Sequence, residues 1–286
     1  MSEKELQHYF SHDLKWGWFR QFESKLTFAF LLDAAKFCEN GVILDAGAGH
    51  QRYKPFFSRS IYLSQEHHAG IKIKGMKNIE YDLIYPLDKK IPLKDKCLDA
   101  VLSTSVIEHL QYPDKFCAEA NRVLKPGGKL FINVPFVNFE HEIPYDYNRL
   151  TRYGLKRMLK DAGFANISVV PTSSSVQTLC GYFPFAIYMD ILKSDKSPRQ
   201  YYHDIRKTTR GIKLYVRFLV ICFAFAMFGL AKLYYSIIRV LFDRGPYSIV
   251  GLPSGWIAVA TKSGKLNKKP LFQSKEAFLK RNILAK

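Results

Sequence analysis

Cysteine is scarce: five residues in 286 (Cys38, Cys97, Cys117, Cys180 and Cys222), widely spaced and without a C-x-x-C pair. A disulfide framework or a thiolate metal site is therefore disfavoured, and a reducing cytosolic setting is expected. Acidic residues are also few, 25 against 43 Lys and Arg, which leaves a net charge of +18. The N-terminal stretch MSEKELQHYF has no apolar segment, so no secretory signal is expected. Internal repeats and low-complexity tracts are absent. Most informative is a missing glycine in LDAGAGHQRYKP, residues 44–55. Gly47 and Gly49 begin a G-x-G-x-x-G fingerprint, but its third position holds Arg52, and no G-x-x-x-x-G-K-S/T phosphate loop occurs. The turn is built for neither a pyrophosphate nor a triphosphate.

What is present argues for a folded chain. Hydrophobic residues make up 48% and aromatics 15%, too much apolar surface for a disordered protein. Charge is unevenly distributed. Residues 1–175 carry 24 Lys and Arg against 20 Asp and Glu, an ordinary balance of +4. Residues 176–286 carry 19 against 5, a surplus of +14 that marks a basic appendage.

Apolar spacing predicts an amphipathic helix over 23–39, stopped by Asn40-Gly41, and then the strand Val42-Ile43-Leu44. Further strands are expected at 61–64, 98–104, 129–136, 167–172 and 256–261, and helices at 114–124 and 150–163. Lys125-Pro126-Gly127-Gly128 reads as a turn. This alternation implies a mostly parallel α/β sheet covered on both faces, with ligands bound beyond the carboxyl ends of its strands. Asp45 stands at the tip of the first strand, and Gly47 and Gly49 let a ligand approach the backbone. Glu66, about twenty residues on, ends the second strand, where a carboxylate can bind ribose hydroxyls.

The blocks VILDAGAGH, YLSQE, IEYDL, LDAVLSTSVIEHL, EANRVLKPGGKLFINVPF and HEIPYDYNRLTRYGLKRMLKDAGF occur in this order. Together they resemble the motifs of class I S-adenosylmethionine-dependent methyltransferases, in particular the branch associated with surface-polysaccharide and lipid-linked sugar biosynthesis. The resemblance implies a seven-stranded Rossmann-like α/β sheet with helices on both faces, bound to S-adenosyl-L-methionine. It implies that Asp45, Gly47 and Gly49 cradle the methionine part of the cofactor, that Glu66 takes the ribose hydroxyls and that Asp82 lies by the adenine amino group. Ser103 and Thr104 would line the floor near the sulfonium. No metal is implied. A phosphate-free cofactor also accounts for Arg52, since no row of amides need face an anion.

An oxygen acceptor benefits from a base within hydrogen-bond reach. His141 is the favoured candidate and His109 the second, with Tyr145, Asp146 and Arg149 shaping an acceptor pocket. The competing reading makes HEIPYDYNRLT a structural lid, its Asp and Arg pairing locally and Thr151 capping the next helix. STSV follows the fourth strand where amino-methyltransferases of nucleobases have an Asn/Asp-Pro-Pro-Tyr motif, which favours oxygen methylation.

Between the last two strands a helical, hydrophobic-basic insert is expected. Phe218 to Ala231 is fourteen residues without a charge. At about 1.5 Å per residue it falls short of the roughly 30 Å hydrocarbon core. Arg206, Arg210, Lys213, Arg217, Lys232 and Arg239 share one helical sector, a pattern of interfacial helices facing anionic lipid. Interfacial or re-entrant attachment, a single span and a buried soluble cap remain the three readings. The expected organisation is an aromatic, helical cap (1–40), a cofactor-binding core (41–172 with 256–263), a membrane-associated insert (173–255) and a basic tail (264–286). The expected activity is O-methylation, on the cytoplasmic side of a membrane, of a small-molecule, saccharide, lipid-linked or headgroup acceptor. An RNA methyltransferase, disfavoured because the charge flanks an apolar helix, and a non-catalytic membrane-anchored module are the alternatives.

Overall fold

The computed structural model describes residues 3–13, 20–67, 70–71, 75–76, 78–175, 178, 251–266 and 274–284. The apolar-basic helix expected at 212–242, with the rest of 179–250, lies outside the described residues. By internal contacts the chain divides into two units. The first comprises Met1–Pro135, Tyr147–Thr172 and Trp256–Lys286, and the second Phe136–Asp146 and Ser173–Gly255.

The first unit holds α1 (Glu3–Asp13), α2 (Arg20–Cys38), β1 (Val42–Ala46), β2 (Ile61–Glu66), β3 (Leu83–Ile84) and β4 (Leu98–Thr104). It continues with α3 (Pro113–Val123), β5 (Leu124–Pro135), α4 (Arg152–Asp161), β6 (Phe164–Pro171), β7 (Gly255–Lys262) and α5 (Lys275–Asn282). The strands form one seven-stranded sheet in the order β3-β2-β1-β4-β5-β7-β6. β1 pairs in parallel with β2 and β4, as do β2 with β3 and β4 with β5, while β6 and β7 are antiparallel. Every residue of β1 and β4 is buried, on both sides of the pleat, so both faces of the sheet centre are covered. On one face α2 supplies Phe30, Leu31, Ala34 and Cys38 to a cluster with Ile43, Tyr62, Ala100, Leu102 and Phe131. α3 packs on β5 and α4, burying Phe116, Cys117, Ala120 and Val123.

The order reverses direction between β1 and β4, where the crevice of an open α/β sheet lies. At the opposite, amino edge the central strands are tied by Asp99. Its carboxylate accepts from the Val42 amide at 2.9 Å and from Lys125 Nζ at 2.8 Å, joining the starts of β1, β4 and β5. Gly41 makes room for it: a Cβ there would lie 3.1 Å from the Asp99 side chain.

Two expectations need correction. Lys125-Pro126-Gly127-Gly128 is no boundary between helix and strand, because β5 begins at Leu124 and runs through it. The turn chemistry is spent on an irregularity inside the ladder: Leu124 pairs with Leu98, then Lys129 with Ala100, and Gly127 takes a φ of 77° in between. The basic tail, expected only as charge, carries α5, with Ser274 Oγ accepting from the Ala277 amide and Phe278 buried. Thr151 does cap α4, accepting from the Gly154 amide at 3.0 Å.

Asp99→Ala should lower unfolding stability by about 2 kcal/mol, since it orphans a buried amide and loosens Lys125, while Asp99→Asn should cost less. Denaturant melts of the two variants check this, and equal losses would show that the carboxylate charge is irrelevant.

Candidate active site

The turn after β1 is shaped by β2. Gly47 N donates to Gln65 Oε1 at 2.8 Å, Ala48 N to the Gln65 carbonyl at 2.8 Å, and Gly49 N to Glu66 Oε2 at 3.0 Å. Gln65 is fully buried and its Nε2 donates to the Tyr85 carbonyl, so the amide is held from both ends. Three successive amides are thus consumed by the protein, and a carboxylate stands where an anion would sit. A phosphate has neither donors nor favourable charge here. The same turn suits a cationic group.

The two glycines have different reasons. Gly47 has φ 79°, and a Cβ there would collide with Val106. Gly49 has φ 50°, and a Cβ there would meet nothing within 4 Å, so its surface is open. Packing requires the first glycine; the second leaves backbone accessible. Tyr81 steadies this turn by donating to the Gly49 carbonyl at 2.7 Å.

Asp45 is fully buried. Its Oδ2 accepts from the Tyr62 hydroxyl, while Oδ1 has no hydrogen-bond partner among the described residues. Burial pushes the Asp45 carboxyl up to about 7, with the Glu66 charge adding to the rise and the Tyr62 hydrogen bond opposing it. Tyr62 is pushed far above its ordinary range by burial and by Asp45, so it remains a donor. Ser103 Oγ, at the end of β4 and fully buried, likewise lacks a partner among the described residues, and Thr104 beside it is nearly buried. Glu66, 6% exposed, also accepts from the His67 amide at 2.9 Å through Oε1. Asp82, just before β3, accepts through Oδ2 from Ser64 N at 2.8 Å and Ser64 Oγ at 2.9 Å, and pairs with Lys275.

The structure therefore gathers Asp45, Gly47, Gly49, Glu66 and Asp82 around the carboxyl ends of β1 and β2, with Ser103 and Thr104 ending β4. His109, in the turn after β4, has Nε2 3.8 Å from the buried Glu108 carboxylate. The Glu108 carbonyl accepts from the Tyr147 and Asn148 amides at 2.8 and 3.1 Å, fixing that turn. Arg149, also in the first unit, donates to the Asn148 carbonyl at 3.0 Å.

In the second unit His141 and Asp146 come together. The His141 amide donates to Asp146 Oδ2 at 3.0 Å, and Nδ1 lies 3.0 Å from the Phe139 carbonyl and 3.3 Å from Asp146 Oδ2. These two partners of Nδ1 only accept, so Nδ1 carries a proton. Tyr145 is 41% exposed. Residues the sequence did not single out are Tyr62, Ser64, Gln65 and Lys275. Tyr62 was within reach of strand periodicity, because it shares a face with Ile43, its register partner, and with Asp45.

A raised carboxyl binds its proton more tightly in the folded state, so wild-type stability falls as pH rises from about 4 to about 7. Asp45→Asn cannot titrate. Its stability advantage should grow over that window and level off above it at up to about 4 kcal/mol. Thermal melts from pH 4.5 to 8.5 check this, and a constant difference would place the Asp45 carboxyl at its ordinary value.

Residues 44–132 match the family described as a methyltransferase domain. An uncharacterised protein of Methanocaldococcus jannaschii is 31% identical over 142 residues, 45% of this chain and 67% of its own length. The mitochondrial ubiquinone biosynthesis O-methyltransferase of Mus musculus is 34% identical over 67 residues, 23% of this chain and 18% of its own. A solved S-adenosylmethionine-dependent methyltransferase from Archaeoglobus fulgidus overlays 83% of this chain and 94% of its own with a TM-score of 0.46 and 14% identity. The buried oxygens left without partners at Asp45 and Ser103, and the open surface at Gly49, fit a ligand with a cationic amino-acid end. Residues 44–132 thus carry a methyltransferase domain, and its cofactor is S-adenosyl-L-methionine.

Proposed function

We propose that this methyltransferase methylates an oxygen of a saccharide, lipid-linked sugar or lipid headgroup at the cytoplasmic surface of a membrane. The observation that carries the membrane reading is the charge surplus of residues 176–286, arranged as a basic sector flanking the uncharged run Phe218 to Ala231. The run of fourteen residues is shorter than the hydrocarbon core, which favours attachment in the interface. Among the described residues no helix is long and apolar enough to cross a membrane. Oxygen as the acceptor is supported by Ser103-Thr104-Ser105-Val106 in place of a nucleobase amino-methyltransferase motif, and by the relative named as an O-methyltransferase.

In this reading Asp45 Oδ1 accepts from the cofactor's ammonium, Gly49 presents backbone to its methionine part, Glu66 takes the ribose hydroxyls and Asp82 the adenine amino group. Ser103 and Thr104 form the floor. When bound, S-adenosylmethionine supplies an activated methyl group with a neutral thioether as leaving group. The protein's own work is then to align the acceptor and keep water out. His141 Nε2 removes the acceptor's proton, with Asp146 and the Phe139 carbonyl holding the ring. Tyr145 and Arg149 contribute to acceptor binding, and His109 is the second candidate base.

Labelled methyl from S-adenosylmethionine should enter the lipid or glycan fraction of a cell extract supplied with the full chain. Label confined to RNA would replace this reading with RNA methylation. The chain should sediment with vesicles containing phosphatidylglycerol and less with phosphatidylcholine alone, and changing Arg206, Arg210, Lys213 and Arg217 to Gln should abolish the difference. Vesicle binding indifferent to lipid charge and to those four changes would remove the anchoring proposal. With an acceptor in hand, His141→Ala should lower kcat by about 100-fold or more while cofactor affinity stays constant. Full turnover in that variant would eliminate His141 as the base.

A further inference from the structure

Lys275 is the first residue of α5, at the end where the helix dipole is positive and a cation is unfavourable. Its ammonium lies 2.6 Å from Asp82 Oδ2. α5 packs against β2, buries Phe278 and is fastened at its far end. There the Asn282 carbonyl accepts from the Lys94 amide at 2.8 Å, the Leu284 amide donates to the Pro92 carbonyl at 3.1 Å, and Leu93 and Ile283 form an antiparallel bridge. The helix is thus held at both ends, and Lys275 approaches Asp82 from a fixed base.

Asp82 Oδ2 receives three donors: Lys275 Nζ, Ser64 N and Ser64 Oγ. Ser64 Oγ also accepts from the Asp82 amide at 3.2 Å, closing a reciprocal pair. These bonds exhaust one oxygen and fix the plane of the carboxylate. Oδ1 has no hydrogen-bond partner among the described residues, so it stands as a single oriented acceptor, the ammonium and both Ser64 donors lying on the other oxygen.

We propose that Lys275 is a positioning residue for the cofactor: through Asp82 it orients the oxygen that accepts from the exocyclic amine of the adenine ring. The C-terminal helix is in this way part of the purine-recognition machinery, although Lys275 itself does not touch the base. The inference rests on the reading of Asp82 as the adenine contact.

Binding of S-adenosylhomocysteine and S-inosylhomocysteine to the full chain tests it, because the second ligand has an oxygen where the first has the amine. Wild type should prefer the adenosyl ligand. Lys275→Met, which keeps the aliphatic stem, should weaken adenosyl binding about ten-fold and inosyl binding much less, and Lys275→Arg should restore the preference. Lys280→Met, on the same helix, is the control and should behave as wild type. Equal weakening of both ligands by Lys275→Met would mean a general structural role and overturn the proposal, as would no weakening. Asp82→Ala separates the two levels. If it erases the preference while Lys275→Met keeps it, the Lys275 proposal alone falls. If Asp82→Ala keeps the preference, the Asp82 reading falls first.

Discussion

Three consecutive amides after β1 point at acceptors supplied by β2, and the character of the site follows from that exchange. Gln65 gives its side-chain and main-chain oxygens to Gly47 and Ala48, and Glu66 gives a carboxylate oxygen to Gly49. A turn whose donors are spent internally cannot grip a phosphate, whatever its glycines suggest. It becomes a rigid wall that presents carboxylates instead. The cofactor carries a sulfonium and an ammonium, so the polarity of the wall is the right one. Arg52 in place of a third glycine is harmless because the helix start that such a glycine would serve is not used for an anion.

The acids are not equivalent. Asp45 is buried with its carboxyl pushed up to about 7, Glu66 is braced by two amides, and Asp82 is paired with the Lys275 ammonium. Different surroundings give three carboxylates three behaviours. The basic surplus lies in a different part of the sequence, in residues 176–286.

How much of this was legible in the sequence depended on the range of the interaction. β1, β2 and β4 were read closely because unbroken apolar runs bounded by Asp, Glu or Gly announce buried parallel strands. β3, two residues long, has no period to detect. The Lys125–Gly128 turn was seen but misplaced, since a bulge inside a ladder and a break between elements use the same residues. α5 buries only Phe278 and so shows little amphipathic contrast. Asp45, the glycines and Glu66 are legible as candidates because their spacing is local. Gln65 and Lys275 were not, because their roles exist only once strand register and a distant helix bring partners to them.

The antiparallel edge has a consequence for how such a chain can change over time. In the β6–β7 ladder Pro171 stands directly opposite Trp256, so the polypeptide leaves the sheet and re-enters it at neighbouring positions. The two ends of the intervening sequence are therefore fixed side by side. Since loop-closure entropy rises only with the logarithm of length, a long excursion costs the sheet little more than a short one. That junction is a natural graft point: material can be exchanged there while the strands that build the cofactor turn keep their register. A change of length at that junction leaves the turn after β1 and its partners on β2 untouched.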